Sequence, residues 1–224
     1  MCYVCWKRVF DVCGAALLLA ATLPLWAVIA VLLLATQGRP VLFRHRRVGL
    51  HGAAFELLKF RTLRDEPPVK TADHPMSKAA AESRVTPAGR FLRRFALDEL
   101  PQVLNVLCGE MSLIGPRPMP EEDLAQLAHP DRVPPVERAR RLDWASRRQT
   151  VLPGVTGLWQ ITVNDESDFE NWIVSDLAYV ERRGLLLDAY IAWYTPYAIL
   201  RGRRRRRPVQ SKQMAESTEL PPPT

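Results

Sequence analysis

The sequence predicts a mainly helical α+β protein in which an apolar N-terminal segment precedes one small domain. Residues 12–35 are 24 consecutive uncharged, mostly apolar residues. Residues 40–63 contain two strand-like stretches around a turn, and helical periodicity recurs through most of the remaining chain. A chain of 224 residues has room for one domain with a real core. We therefore predict a membrane segment at 1–38, a folded domain at 39–200 and a disordered tail at 201–224.

The apolar segment is long enough for a membrane, since 24 helical residues span about 36 Å and a bilayer core is about 30 Å thick. Asp11 beside the run argues against a secretory signal. Pro24 would free the carbonyl of Ala20, and Thr22 is a candidate to satisfy it. Basic residues flank both ends and prefer the cytoplasmic side: Lys7, Arg8, Arg39, Arg44, Arg46 and Arg47. The residues leave open a straight span or a helix broken at Pro24 that re-enters, although only re-entry suits both flanks.

The first part of the domain predicts a strand pair. A short extended stretch is followed by a turn at Gly49–Gly52 and a second strand at Phe55–Thr62. Lys59 and Arg61 alternate with Phe60, so the two cations share one face of this strand. They form either a solvated basic face or part of an anion-binding site.

The next stretch, 64–84, is rich in proline, alanine and charge, and we predict a surface loop or a mobile lid. A helix is expected to begin after Thr86, with Pro87 in its first turn. Its arginines include Arg93 and Arg94, and either one reaches bound phosphate or is simply solvated.

The most informative stretch is 97–118. Four leucine and valine residues at i, i+3, i+4 and i+7 from Leu100 predict a helix with one buried face, with Pro101 in its first turn and Gly109 as its stop. This places Asp98 and Glu99 at the helix N-terminus, where the helix dipole would keep both carboxylates ionised. An ordinary N-cap followed by a first-turn acid is the alternative. Gly115–Pro118 then predicts a stiff turn that presents Arg117 to an anion.

The C-terminal part predicts more helices. Two charged helical patterns occupy 120–149, and residues 153–160 indicate a turn leading into a strand whose Trp159 is either a core aromatic or a base-stacking residue. A helix at 168–182 would place Asp176 and Tyr179 on one face. Residues 185–200 are rich in Trp, Tyr and aliphatic side chains, which suits an interfacial helix at a membrane surface.

Several motifs together resemble the bacterial sugar transferase family, whose members are monotopic phosphoglycosyl transferases. The central block carries the resemblance through Leu97–Gln102, Asn105–Leu107, Gly109–Leu113 and Gly115–Pro118. Further matches are Leu42, Phe43, Arg47, Val48, Gly49, Gly52, Phe55, Lys59–Thr62, Arg148 and residues 153–160, so the resemblance covers Lys7 to Asp188.

The resemblance implies transfer of a sugar 1-phosphate from a UDP-sugar to undecaprenyl or another polyprenyl phosphate, with release of UMP. It implies that Asp98 is the nucleophile of a covalent aspartyl-phosphosugar intermediate and that Glu99 works beside it with Mg²⁺. The expected phosphate- and nucleotide-binding residues are Lys59, Arg61, Arg94, Arg117, Arg148, Asp176 and Tyr179. The expected re-entrant segment involves Lys7, Arg8, Asp11 and Pro24. Such an enzyme would work at the cytoplasmic face of the bacterial inner membrane, in the first membrane step of exopolysaccharide, O-antigen or other glycoconjugate synthesis.

The sequence departs from the family pattern in two places, and the first bears on nucleotide or sugar selectivity. Val163 and Asn164 stand where the family usually has Gly-Arg, and Trp172 stands where it has Arg. A homo-oligomer is compatible with this interpretation.

Other function classes find little support in the sequence. It contains no Walker loop or Gly-x-Gly-x-x-Gly motif, and its four cysteines predict reduced thiols. The net charge of +7 is concentrated in residues 201–212, which hold seven basic groups and no acid. That run lacks the interleaved aromatics of a nucleic-acid site. The rival hypothesis is a non-enzymatic membrane scaffold, which would leave Asp98, Glu99 and the Gly115–Pro118 turn unexplained.

Overall fold

A computed structural model describes residues 3–64, 84–127, 133–162 and 169–200. These residues are mostly helical with some sheet, which confirms the predicted α+β class. The predicted loop or lid between Arg64 and Arg84, the tail at 201–224, and Val163 and Asn164 lie outside the described residues.

The apolar segment forms one α-helix, α1, at Tyr3–Gln37. It is the one described helix long and apolar enough to cross a membrane by length and composition. The predicted break is not seen, because the helix continues through Pro24. The Thr22 hydroxyl donates to the Leu18 carbonyl at 2.7 Å. The prediction that Thr22 satisfies the carbonyl of Ala20 was therefore wrong. Threonine hydroxyls commonly bond the carbonyl four residues back, which is the geometry seen here.

One stripe of α1 packs against the domain along much of the helix. Ala15 joins a buried cluster with Val103 and Met111, and further along Leu33 packs in a second cluster with Phe60. The other faces of α1 leave large apolar side chains exposed: Val4, Trp6, Val9, Phe10, Leu17, Leu18, Leu23, Leu25, Val28, Val31, Leu32 and Leu34. An apolar surface of this extent indicates contact with lipid or another apolar partner.

Two small sheets form the β part of the domain. Strands β1, Leu42–Val48, and β2, Ala54–Phe60, pair antiparallel as the predicted hairpin, with Leu42 opposite Phe60. The two-residue strand β4, Met119–Pro120, pairs with the end of β1. Strands β3, Ser112–Ile114, and β5, Gly154–Thr156, form a separate parallel pair.

Eight described α-helices make up the helical part. After α1 they are α2 (Pro87–Arg94), α3 (Gln102–Cys108), α4 (Glu121–Leu127), α5 (Pro135–Arg148), α6 (Leu158–Thr162), α7 (Phe169–Arg182) and α8 (Leu185–Leu200). Helix α2 begins as predicted, since the Thr86 hydroxyl accepts from the Gly89 amide at 2.9 Å. Helix α3 ends as predicted at Gly109, whose φ of 89° is the left-handed conformation that glycine adopts readily.

Two predicted boundaries were wrong. Asp98 and Glu99 lie in a separate 3₁₀ turn, Leu97–Glu99, and Pro101 precedes the first residue of α3, so the two carboxylates do not cap that helix. Residues 158–160 continue into the short helix α6, not into a strand. In both places one or two residues separate a three-residue element, the 3₁₀ turn or β5, from the next helix, and periodicity over so few residues does not resolve such a boundary.

Candidate active site

A cleft of about 500 Å³ lies over the 3₁₀ turn at Leu97–Glu99. Among the described residues its lining includes two carboxylates, Asp98 and Glu99, and eight lysine or arginine side chains. The eight cations are Arg47, Lys59, Arg61, Arg64, Arg84, Arg93, Arg94 and Arg117. Such an excess of positive charge suits a polyanionic ligand.

Asp98 is the buried acid of this cleft, with 7% of its surface exposed. Ala96, two residues earlier, has a left-handed φ of 54° and turns the chain into the 3₁₀ turn. Burial, followed by the neighbouring charge of Glu99, raises the pKa of Asp98, while Lys59 and Arg93 oppose this shift. Desolvation thus opposes ionisation more strongly than the nearby cations favour it, and the 3₁₀ turn does not provide the helix N-terminus on which the expectation of easy ionisation relied.

Glu99 is held by a lysine from the hairpin. Lys59 Nζ lies 2.7 Å from Glu99 Oε1, and both side chains are mostly buried. Lys59 is the second-to-last residue of β2, and it faces the cleft because side chains alternate along the strand. The pair joins β2 to the 3₁₀ turn that carries Asp98.

Strand β1 forms one wall of the cleft through Phe43, His45 and Arg47, which alternate along the strand. Burial, and then the charge of Arg47, lowers the pKa of His45, so its imidazole is neutral at pH 7. Burial and the charge of Arg117 lower the pKa of Arg47 to about 10, so Arg47 remains a cation. This wall therefore presents one neutral ring between an aromatic side chain and a guanidinium.

Arg117 occupies the cleft as the Gly115–Pro118 turn predicts. Its guanidinium lies 4.6 Å from the centre of the Trp159 ring, a cation–π contact. Trp159 is buried and in turn meets Trp172 edge-on at 6.0 Å. Trp159 is therefore both a core aromatic and part of the cleft lining, and Trp172 supports it from behind.

The Gly115–Pro118 turn depends on a close approach of two backbones. A Cβ at Gly154 would lie 2.0 Å from the Gly115 amide nitrogen, and a Cβ at Gly115 would lie 2.4 Å from the Leu152 carbonyl oxygen. Glycine is required at both positions because any side chain would collide with backbone there.

Arg61 and Arg94 also lie in the cleft lining, in different settings. Arg61, just beyond the end of β2, is buried and donates to the carbonyls of Gly38 at 2.8 Å and Arg39 at 3.2 Å, as well as to that of Gln37. It therefore caps the C-terminal end of α1. Arg94 is exposed at the end of α2, with its guanidinium 5.6 Å from the centre of the Phe95 ring.

Three predicted site residues lie outside the cleft lining. Arg148 and Asp176 form a buried ion pair at 2.9 Å, and Arg148 also donates to the Arg117 carbonyl. Burial raises the pKa of Asp176 against the opposing charge of Arg148. The Tyr179 hydroxyl lies 3.0 Å from both the Ile114 carbonyl oxygen and Asp188 Oδ1. These residues belong to the interior behind the cleft, so direct contact with substrate, as predicted, finds no support in their placement.

The polar residues at the start of α1 contact the domain. Lys7 Nζ lies 2.9 Å from Asp188 Oδ2, and Arg8 donates to the Val106 and Leu107 carbonyls at the end of α3. Asp11 Oδ1 accepts from the Ser112 hydroxyl at 2.9 Å and from the Leu113 amide at 3.0 Å. The basic residues that were predicted at the entry to the membrane therefore contact the folded domain.

The site contains residues that the predicted set omitted. They are His45, Arg47 and Gln160, which line the cleft. Arg93, which the sequence offered with Arg94 as a candidate for phosphate, also lines it and donates to the Thr62 hydroxyl at 2.9 Å. The hairpin register places Phe43 opposite Lys59, so the period of two along β1 was a signal that could have found His45 and Arg47. Gln160 has no comparable signal, since it reaches the cleft from helix α6.

Two carboxylates are the acidic metal ligands that this cleft offers, and the described residues hold no group of three or more His, Cys, Asp or Glu side chains suited to a metal. Mg²⁺ commonly takes one or two protein carboxylates and completes its shell with water and substrate phosphate oxygens. The donor set therefore fits Mg²⁺ bound together with a phosphorylated ligand.

Comparisons with known proteins agree with this chemistry. A family model described as bacterial sugar transferase matches residues 2–202. The chain is 35% identical over 205 residues to the exopolysaccharide production protein ExoY of Sinorhizobium fredii, covering 86% of this chain and 84% of that protein. It is 38% identical over 202 residues to the UDP-glucose:undecaprenyl-phosphate glucose-1-phosphate transferase of Caulobacter vibrioides, covering 87% and 69%. It is 33% identical over 211 residues to the undecaprenyl-phosphate galactose phosphotransferase of Salmonella typhimurium, covering 87% and 40%.

Proposed function

Because the chain belongs to the bacterial sugar transferase family and is thus an enzyme of the sugar-phosphate transferase type, we propose that it moves a sugar 1-phosphate from a UDP-sugar to undecaprenyl phosphate. The observation that carries this proposal is the position of Asp98, a buried carboxylate in a cleft lined by eight cations. The rival hypothesis, a non-enzymatic membrane scaffold, would have no use for this arrangement.

In the proposed reaction a carboxylate oxygen of Asp98 attacks the phosphorus that carries the sugar. The bond from that phosphorus to the UMP oxygen breaks, and UMP leaves with the bonding electrons. A phosphate oxygen of the lipid then attacks the same phosphorus, which regenerates the Asp98 carboxylate and yields a lipid diphosphate sugar. Two steps spare the enzyme from holding a lipid and a soluble nucleotide at once.

In this reaction one anion attacks another, and the cations of the cleft would reduce the resulting repulsion. Lys59, Arg93 and Arg117 approach the Asp98–Glu99 turn from three elements. Fixed cations at a transferring phosphoryl group stabilise the charge that develops in the transition state. Mg²⁺, which Glu99 and Asp98 would hold, would neutralise further phosphate charge when bound.

The apolar side of the cleft gives the lipid a route. Ala198 and Ile199, near the end of α8, line the cleft together with Phe43. Helix α8 also exposes Leu186 and Trp193, at 89% and 82% of their surface. An exposed row of this kind suits the membrane interface and would let the lipid phosphate reach Asp98 while its chain remains in the bilayer.

We further propose that both ends of α1 lie on the cytoplasmic side of the inner membrane. The start of the helix contacts the domain through Lys7, Arg8 and Asp11, and its end does so through Gln37, which donates to the Thr86 hydroxyl at 3.0 Å. A 35-residue helix is about 52 Å long, and if it spanned the membrane its ends would be on opposite sides. One folded domain that contacts both ends supports the same-side arrangement.

The reaction is tested with purified protein in nanodiscs, a panel of UDP-sugars, Mg²⁺ and undecaprenyl phosphate. UDP-sugar alone should release UMP and increase the protein mass by one sugar phosphate, and later addition of the lipid should remove that mass. A requirement for both substrates before UMP appears would refute the two-step route. No UMP from any sugar of the panel would favour the scaffold.

The topology is tested with single cysteines in a variant whose native cysteines are replaced by serine. Val4→Cys reports on an exposed position near the start of α1, and Arg46→Cys reports on an exposed position in β1, beyond the end of α1. In intact spheroplasts a membrane-impermeant maleimide should label neither position until the membrane is opened. Labelling of Val4→Cys alone from outside would show that α1 spans the membrane.

A further inference from the structure

We infer that Arg148 and Asp176 are positioning residues that fix the Gly115–Pro118 turn, and with it the guanidinium of Arg117, in the cleft. This inference rests on the proposed function, in which Arg117 faces substrate phosphate. It assigns to the buried pair a role different from the direct phosphate contact expected from sequence.

Three carbonyls of the turn accept hydrogen bonds from residues outside it. The Pro116 carbonyl accepts from the Gly154 amide at 2.8 Å, and the Pro118 carbonyl accepts from Arg47 Nη1 at 3.2 Å. The Arg117 carbonyl between them accepts from Arg148 Nη2. The Gly115 amide also anchors the turn, since it donates to the Thr156 carbonyl at 2.9 Å. Because Pro116 and Pro118 have no amide hydrogen, the other described backbone contacts to the turn are these three acceptors.

Arg148 is itself fixed on two sides. Its Nε lies 2.9 Å from Asp176 Oδ2, and its guanidinium lies 4.7 Å from the centre of the Trp144 ring. Arg148 is 7% and Asp176 is 4% exposed, and neither lines the cleft. A planar guanidinium can serve a carboxylate, an aromatic face and a carbonyl at the same time, whereas a lysine ammonium cannot match this geometry.

The position of Arg117 therefore depends on contacts at both of its ends. Trp159 supports the guanidinium and Arg148 holds the backbone. A displacement of a charged group by about 1 Å can cost on the order of 100-fold in rate. Loss of the Arg148 contact should accordingly lower activity although Arg148 never touches the substrate.

A double-mutant cycle distinguishes positioning from direct phosphate contact. Arg148→Lys should lower kcat/KM for UMP release by roughly 10- to 100-fold in the wild-type background. In an Arg117→Ala background the same change should cost less than about twofold, because the group being positioned is absent. If Arg117→Ala is too slow to measure, the cycle is read in the Kd for UDP, which needs no turnover.

Two further variants serve as controls. Arg147→Lys, the exposed neighbour on α5, should leave activity unchanged in both backgrounds. Arg148→Met/Asp176→Leu replaces the buried pair with apolar side chains, which can preserve stability while removing the donor to the Arg117 carbonyl. This double variant should lose as much UMP-release activity as Arg148→Lys does, and only where Arg117 is present. Its melting temperature should shift by the same amount in both backgrounds.

An equal loss for Arg148→Lys in both backgrounds would overturn the inference, as would wild-type activity of the Met/Leu pair. The same cycle in the Kd for UDP, measured by calorimetry, tests the positioning without turnover. If the wild-type protein releases no UMP from any UDP-sugar, the proposed function fails while the UDP cycle still decides the role of Arg148.

Discussion

Asp98 and Asp176 are both buried, and burial raises the pKa of both, yet they lie in regions built for opposite purposes. Asp176, in the interior behind the cleft, has an arginine at 2.9 Å. Asp98, in the cleft, is near Lys59 and Arg93, but these bond to Glu99 and to Thr62. The interior carboxylate is paired with its arginine and stabilises a shape, whereas the cleft carboxylate lies near cations that bond to other groups and so remains available to a ligand.

The largest expected effect is on catalysis, and it concerns Asp98, the carboxylate in the cleft. Asp98→Asn should lower UMP release by roughly 10³-fold or more and abolish the sugar-phosphate mass adduct, because the amide retains the shape but is no nucleophile. Asp143→Asn, at an exposed acid on α5, is the control and should be unaffected. An adduct on Asp98→Asn would show that another residue is the nucleophile.

The second-largest expected effect is on stability, and it concerns Asp176. Asp176→Asn leaves Arg148 buried with a weaker partner and should cost about 3 kcal/mol of unfolding free energy. Glu181→Gln, which weakens the exposed pair with Arg147, should cost less than about 1 kcal/mol. Denaturant unfolding of detergent-solubilised protein measures both. Equal costs for the two variants would mean that the interior pair contributes no more than a surface one.

Glu99→Gln should change the dependence on metal. The change removes the carboxylate that Lys59 contacts and that would bind Mg²⁺, so the Mg²⁺ concentration for half-maximal activity should rise about tenfold. The adduct, where it forms, should remain on Asp98. Glu170→Gln, at an exposed acid of α7, should leave the Mg²⁺ titration unchanged. A Glu99→Gln titration that overlays the wild type would remove Glu99 from the metal site.

The smallest effect is a pH dependence of stability. Because the pKa of Asp98 is raised on folding, the folded protein binds this proton more tightly than the unfolded chain does. The resulting stabilisation is present below the ordinary pKa near 3.8 and is lost as pH rises through the raised value. Asp98→Asn should therefore be more stable than wild type at neutral pH. This gain should shrink toward pH 4 in thermal melts, and a constant gain would contradict the raised pKa.

The sequence by itself determined the elements whose causes are local. Thr86 and Pro87 start α2, Gly109 ends α3, and alternation along the hairpin directs Lys59 to the cleft. The motif block around Asp98 also identified the family, which the comparisons confirm. These features depend on dihedral preferences, capping and periodicity, and each operates within a few residues of chain.

Only the tertiary structure decided what each charged residue contacts. Arg117 and Arg148 were both expected to bind phosphate, but one stacks on Trp159 in the cleft and the other is buried against Asp176. Tyr179 likewise bonds to Asp188 instead of facing the cleft. The reason is physical: a side chain's charge and length are local properties. Its desolvation and its partner are set by segments that lie far away in sequence and meet it only in the folded protein.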